Sequence, residues 1–109
     1  MEPMKPATQD PVFRAVSDPT RRGILELLRE SERSASELAL PFDMTKAAVS
    51  QHLRMLREAD LVRVRKEGRQ RIYRLNPIPL QVLYDWAAHF EDFWNEGLSS
   101  LGAYLDRTP

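Results

Sequence analysis

The chain has 109 residues, 42% hydrophobic and 29% charged, with no cysteine and two histidines, which suits one globular domain and excludes disulfides, thiolate nucleophiles and thiolate metal sites. No apolar stretch reaches the ~18 to 20 residues that cross a bilayer, and the start Met1-Glu2-Pro3-Met4-Lys5-Pro6 has no apolar signal core, so a cytoplasmic protein is expected. The zero net charge hides three segments of net −2 (residues 1–43), +6 (44–76) and −4 (77–109), and a basic block between acidic flanks fits either a polyanion partner or a solvated basic hairpin.

Residues 1–8, with two prolines and no periodicity, are expected to be a mobile tail, and residues 9–109 a single domain. Val12, Phe13 and Val16 suggest a short first helix. Ser17-Asp18-Pro19 then restarts the chain, with Asp18 as a cap and Pro19 at the first helical position of a second helix carrying Ile24, Leu27 and Leu28 on one stripe. Ser34-Ala35-Ser36-Glu37 fits a capping box for a short third helix that ends near Leu40, before Pro41. Thr45 caps a fourth helix running to about Ala59.

The fourth helix sorts into two faces. Val49, Leu53 and Leu56 form an apolar side, while Lys46, Ala47, Ser50, Gln51, Arg54 and Arg57 spread over the other. Cations, an amide, a hydroxyl and a small alanine suit hydrogen bonding to base edges and close approach to a thymine methyl, and they equally suit a solvated face. His52 stands beside the apolar stripe, where a packed or hydrogen-bonded histidine is expected. Ser50 points ~160° away from it, so the two form no local catalytic dyad.

After Asp60 the period becomes two. Val62 and Val64 alternate with Arg63 and Arg65, and Ile72 and Leu75 follow Glu67-Gly68, which predicts a β-hairpin. Setting Val64 opposite Ile72 places Arg65 opposite Arg71 and requires an odd loop of three or five residues around Gly68. Facing like charges are unfavourable in a free hairpin and acceptable where phosphates neutralise them.

Pro77 and Pro79 lead into a long last helix, expected from about Leu80 to Leu105. Leu83, Ala87, Phe90, Trp94, Gly97, Leu101 and Tyr104 follow spacings of four and three, and Trp86, Phe93, Leu98 and Leu105 widen the seam. So much aromatic surface calls for a partner subunit as well as the first helix. On the opposite face Asp85, His89, Asp92 and Glu96 share one stripe and are weak metal candidates, with a solvated face as the simpler expectation. No cofactor is expected.

Helix, tight turn, helix and basic hairpin make a mainly α winged helix-turn-helix: four helices, a small β-hairpin and a fifth helix. The runs Phe13-Arg14-Ala15-Val16-Ser17-Asp18-Pro19-Thr20-Arg21-Arg22, Val49-Ser50-Gln51-His52-Leu53-Arg54-Met55-Leu56-Arg57-Glu58-Ala59-Asp60-Leu61-Val62 and Gly68-Arg69-Gln70-Arg71-Ile72-Tyr73-Arg74-Leu75 together resemble the signatures of ArsR-type bacterial transcriptional regulators. The resemblance covers roughly residues 11 to 105. It implies a homodimeric repressor whose fourth helix enters the major groove of double-stranded DNA at a near-palindromic operator, with the hairpin as a wing.

On that resemblance Thr45, Lys46, Ala47, Ser50, Gln51, Arg54 and Arg57 are the reading-helix candidates, and Arg65, Lys66, Arg69 and Arg71 the wing candidates. Val12 and Phe13 join Leu83, Trp86, Phe90, Phe93, Trp94, Leu98, Leu101, Tyr104 and Leu105 at the dimer interface. Some family members bind metal on the last helix. With one histidine there and no cysteine, this chain departs from that pattern and resembles a metal-independent, aromatic-rich subgroup, for which an organic effector or none is expected. The alternative is a winged-helix protein-interaction module acting through the aromatic helix; its weakness is that the cationic pattern persists in both reading helix and wing. No catalytic constellation is present in the sequence, and an enzyme is not expected.

Overall fold

The signals at the expected helix ends are the ones that close the helices. The computed structural model describes residues 9–107; the expected tail, residues 1–8, lies outside the described residues, as do the side chains of Leu98, Leu101 and Tyr104. Helix α1 spans Gln9–Ala15 and α2 spans Pro19–Glu30. Asp18 stands extended between them, its carboxylate accepting the Arg21 amide at 3.0 Å. That amide, and with it the Arg21 guanidinium, holds the Asp18 carboxyl below the usual aspartate range. Helix α3, Ala35–Ala39, opens on a complete capping box: Ser34 Oγ accepts the Glu37 amide and Glu37 Oε1 accepts the Ser34 amide. The Ser34 amide likewise lowers the Glu37 carboxyl.

A turn of 3-10 helix, Leu40–Phe42, and a left-handed Asp43 reverse the chain, and Thr45 Oγ1 accepts the Ala48 amide to start α4, Lys46–Glu58. Helix α4 ends with Asp60 left-handed and the Leu61 amide bonded to the Leu56 carbonyl at 2.9 Å, a Schellman closure whose flanking pair Leu56 and Leu61 is fully buried.

Three antiparallel strands follow the order β1-β3-β2, with β1 at Arg33–Ser34, β2 at Val62–Glu67 and β3 at Gln70–Leu75. The two-residue β1 was not anticipated. The hairpin register also differs from the expected one: Val64 faces Tyr73, Arg65 faces Ile72, Lys66 faces Arg71 and Glu67 faces Gln70. This leaves a two-residue turn, Gly68-Arg69, in place of an odd loop. Gly68 has φ 64°, the left-handed geometry that a two-residue hairpin turn demands of its first central residue. Ile72 and Tyr73 are both buried, so the sheet base is covered on both faces and alternation could not select the register.

The core gathers Val12, Ile24, Leu28, Leu38, Val49, Leu53 and Leu56 from α1 to α4, Leu61 from the turn after α4, and Val62 and Tyr73 from the sheet. Gly23 lets the ring of Phe42 lie against α2, because a Cβ there would stand 2.8 Å from it. Val12 is 1% exposed and spent in this core, so it has no surface left for a dimer interface, contrary to expectation.

The long last helix is in fact two: after a 3-10 turn at Ile78–Leu80, α5 spans Gln81–Ala88 and α6 spans Glu91–Arg107. Between them the His89 and Phe90 amides close i→i−3 turns on Trp86 and Ala87. No proline or glycine marks this break. An edge-to-face cluster sits on it, with Phe13 to Trp86 at 5.8 Å and Trp86 to Phe90 at 5.3 Å between ring centres, and such a contact has no helical-period signature.

Candidate nucleic-acid interface

Burial of Val49, Leu53 and Leu56 fixes the roll of α4 and turns its other face outward. Thr45, Lys46, Ala47, Ser50, Gln51, Arg54 and Arg57 are all exposed there. Arg54 Nε lies 3.4 Å from Glu58 Oε2 one turn on, both side chains well exposed. A pair of that kind is worth little and leaves Arg54 free to exchange partners.

The wing cations divide into two kinds. Arg65 donates to Glu32 at 2.7 Å and to Glu67 at 3.0 Å, and these two carboxylates, Glu32 first, raise its already high pKa. It ties the wing to the turn after α2. Lys66, Arg69 and Arg71 are exposed and, among the described residues, carry no ion pair. The expected facing of Arg65 and Arg71 is replaced by two other like-charge pairs across the hairpin, Lys66 with Arg71 and Arg63 with Arg74. At the hairpin base Asn76 Nδ2 donates to the Asp60 carbonyl at 2.8 Å, which sets where the wing leaves the body.

A half-open cleft of about 280 Å³ joins the two elements. Its lining takes Lys46 and Ser50 from α4, Arg69 and Arg71 from the wing, and adds Ser36, Gln70 and Tyr73, which sequence reasoning missed. Three cations and several hydroxyls line it with no carboxylate, a composition suited to a phosphate backbone. Ser36 and Tyr73 carry no local signal for this role; only the packing of α3 and β3 beside α4 brings them there.

Behind the reading face, Arg21 and His52 occupy the junction of three helices. Arg21 Nη1 lies 3.2 Å from His52 Nδ1, so His52 is hydrogen-bonded rather than exposed. Sequence reasoning did not single out Arg21. Its neighbour Arg22 donates to the Val16 carbonyl at 2.7 Å, so both arginines after Asp18-Pro19-Thr20 hold the end of α1.

On the far side, Trp86, Phe90, Phe93, Trp94 and Leu105 are exposed, Phe93 by 73%, and Phe13 and Leu83 are half-buried. A second cleft of about 290 Å³ lies among Phe13, Val82, Asp85, Trp86 and His89. Asp85, His89, Asp92 and Glu96 do not form the expected stripe, because the break after Ala88 separates the first pair from the second. Among the described residues no three His, Asp or Glu side chains converge as a metal site, and no helix is long and apolar enough to cross a membrane.

Comparison with known proteins bears on this arrangement directly. The profile of the arsR family of bacterial regulatory proteins matches residues 18–64, from the α2 cap through the reading helix into the wing. The transcriptional repressor SdpR of Bacillus subtilis (strain 168) is 38% identical over 79 residues, 72% of this chain and 88% of the relative. This chain belongs to the ArsR family. The HTH-type transcriptional regulator Rv2034 of Mycobacterium tuberculosis is 35% identical over 97 residues, 89% of this chain and 88% of that one. Among solved structures, an ArsR-like transcriptional regulator from Rhodococcus sp. RHA1 superposes with a TM-score of 0.67 at 31% identity, over 90% of this chain and 92% of that chain. As an ArsR-family winged-helix protein the chain is a DNA-binding transcriptional regulator and not an enzyme.

Proposed function

We propose that this ArsR-family regulator is a cytoplasmic homodimeric repressor that reads a near-palindromic operator in double-stranded DNA. The observation that carries this reading is the cationic cleft, in which Lys46 and Ser50 of α4 stand beside Arg69 and Arg71 of the wing on one surface. In the proposed complex α4 lies in the major groove. Ser50 and Gln51 reach base edges, Ala47 approaches a thymine methyl, and Lys46, Arg54 and Arg57 take a guanine or phosphates. Thr45 caps the helix at the groove. Lys66, Arg69 and Arg71 neutralise the backbone beside the wing, and Arg65 serves mainly to hold the wing in place.

The dimer closes through Phe13 of α1, Leu83 and Trp86 of α5, Phe90 at the break, and Phe93, Trp94, Leu98, Leu101, Tyr104 and Leu105 of α6. Two reading helices about one DNA turn apart, ~34 Å, match two half-sites.

The test is selection of a duplex from a random-sequence pool by the purified protein, followed by fluorescence anisotropy on that duplex and a scrambled one at two salt concentrations. Tight, salt-sensitive binding that prefers the selected duplex is expected. Gln51→Ala and Arg54→Ala should each weaken it by about 1 to 3 kcal/mol with melting and dimerisation unchanged. Equal, weak binding to both duplexes would overturn the reading in favour of a protein-interaction module acting through α5 and α6.

A further inference from the structure

The junction behind the reading helix is more specific than packing requires. Arg21 is only 8% exposed, and all three guanidinium nitrogens are engaged. Nε donates to the Ala15 carbonyl at 2.7 Å, Nη2 to the Arg14 carbonyl at 3.1 Å, and Nη1 to His52 Nδ1 at 3.2 Å. Arginine offers donors only, so Nδ1 must present its lone pair, and the ring is neutral with its hydrogen on Nε2. His52 lies between Gln51 and Leu53 on α4, while Arg14 and Ala15 are the last residues of α1. One buried side chain of α2 therefore fixes α4 against the end of α1.

We propose that Arg21 and His52 are a positioning pair that sets the pose of the reading helix, and that a proton on His52 releases it and weakens operator binding. This rests on the DNA-reading role of α4. A proton at Nδ1 turns the acceptor into a donor and places a second cation against the guanidinium. The Asp18 carboxylate, 4.0 Å from Nδ1, is then the ring's alternative partner, although it already accepts the Arg21 amide. Protonation thus draws His52 from Arg21 towards Asp18 and moves α4 with it.

Among the described residues Arg21 and Asp18 are the charged groups that contact the ring. Helix α1 offers carbonyls that Arg21 already occupies. The charged side chains of α3 and β2 are paired elsewhere or point outward, Glu37 with Ser34, Arg63 with Asp60 and Arg65 with Glu32 and Glu67. Simultaneous hydrogen bonds from several side chains to base edges tolerate only about 0.5 Å of misplacement, so a small shift of α4 is enough to affect reading.

The test is anisotropy of the selected duplex at constant ionic strength from roughly pH 8 to pH 5.5, the range over which imidazoles titrate. Wild-type affinity should fall by about tenfold on acidification, the loss of one charge-assisted hydrogen bond. His52→Asn places Oδ1 where Nδ1 stood, keeps the bond from Arg21 and does not titrate. It should match wild type within about twofold at the upper pH and stay flat. His89→Asn should keep the wild-type slope.

The same slope in His52→Asn, or wild-type binding that is constant or tightens with acid, would overturn the proposal. If His52→Asn does not fold, nitrogen chemical shifts of His52 in the wild-type protein decide it: Nδ1 must be the unprotonated nitrogen at the upper pH, and its titration must coincide with the loss of affinity. Failure of the DNA-reading role is distinct, because it shows as no preference for the selected duplex at any pH.

Discussion

Residues 12–73 and residues 78–105 put their apolar side chains to opposite ends. Among the described residues the first region supplies every buried hydrophobic, from Val12 to Tyr73, whereas seven of the eight exposed large hydrophobics lie in the second, Leu40 being the exception. The body closes its core on itself, since four short helices and a small sheet present their stripes to one another. The final helices meet the body through α5, where Val82 and Leu83 pack against the core and Phe13 meets Trp86, but among the described residues their exposed aromatic side chains have no such cover. Hydrophobic content alone therefore does not mark a core; what matters is whether the topology brings a second face to meet the first.

Three substitutions sharpen or break this contrast. Leu53→Ala, at a fully buried position of the body, should lower the stability of the subunit by about 2 to 5 kcal/mol in chemical denaturation. A loss under 1 kcal/mol would mean that the body is not the closed core described. Trp94→Ala, half-exposed in the second region, should leave the subunit folded and raise the dimer dissociation constant by about 100-fold, through ~3 kcal/mol of lost burial. Equilibrium sedimentation reads this, and an unchanged dimer would remove Trp94 from the seam. Gly68→Ala tests the wing tip, which lies within the first region but outside its closed core. A Cβ there meets nothing within 4 Å, so only the left-handed backbone is penalised, by about 1 to 2 kcal/mol. No loss at all would refute the two-residue turn.

The body was legible because its signals are local. Asp18-Pro19, the Ser34 and Glu37 box and Thr45 each act within a few residues, and each is found capping the helix expected of it. The reading face of α4 followed from 3.6-residue periodicity for the same reason. The hairpin was legible as a hairpin but not in register, since burial of both Ile72 and Tyr73 removes the alternation that would have fixed it. The last helix misled because regular heptad-like spacing continues straight through His89 and Phe90, with no breaker residue to stop it.

The interface candidates divide in the same way. Gln51 and Arg54 could be named from one helix, but Ser36 and Tyr73 required α3 and β3 to be placed beside α4. Arg65 has the composition of a phosphate ligand and the surroundings of a brace, a distinction made by Glu32, which lies 33 residues away in sequence. Arg21 was not singled out from the sequence, and it is buried among the carbonyls of α1 and the ring of His52. By itself, then, the sequence determined the helix boundaries of the body, the winged helix-turn-helix class and the side of α4 that faces outward, because capping and periodicity act along the chain. Tertiary structure alone decided the register, the break before α6 and the partners of Arg65, Arg21 and His52, because each depends on groups that are distant in sequence and meet only once the core has closed.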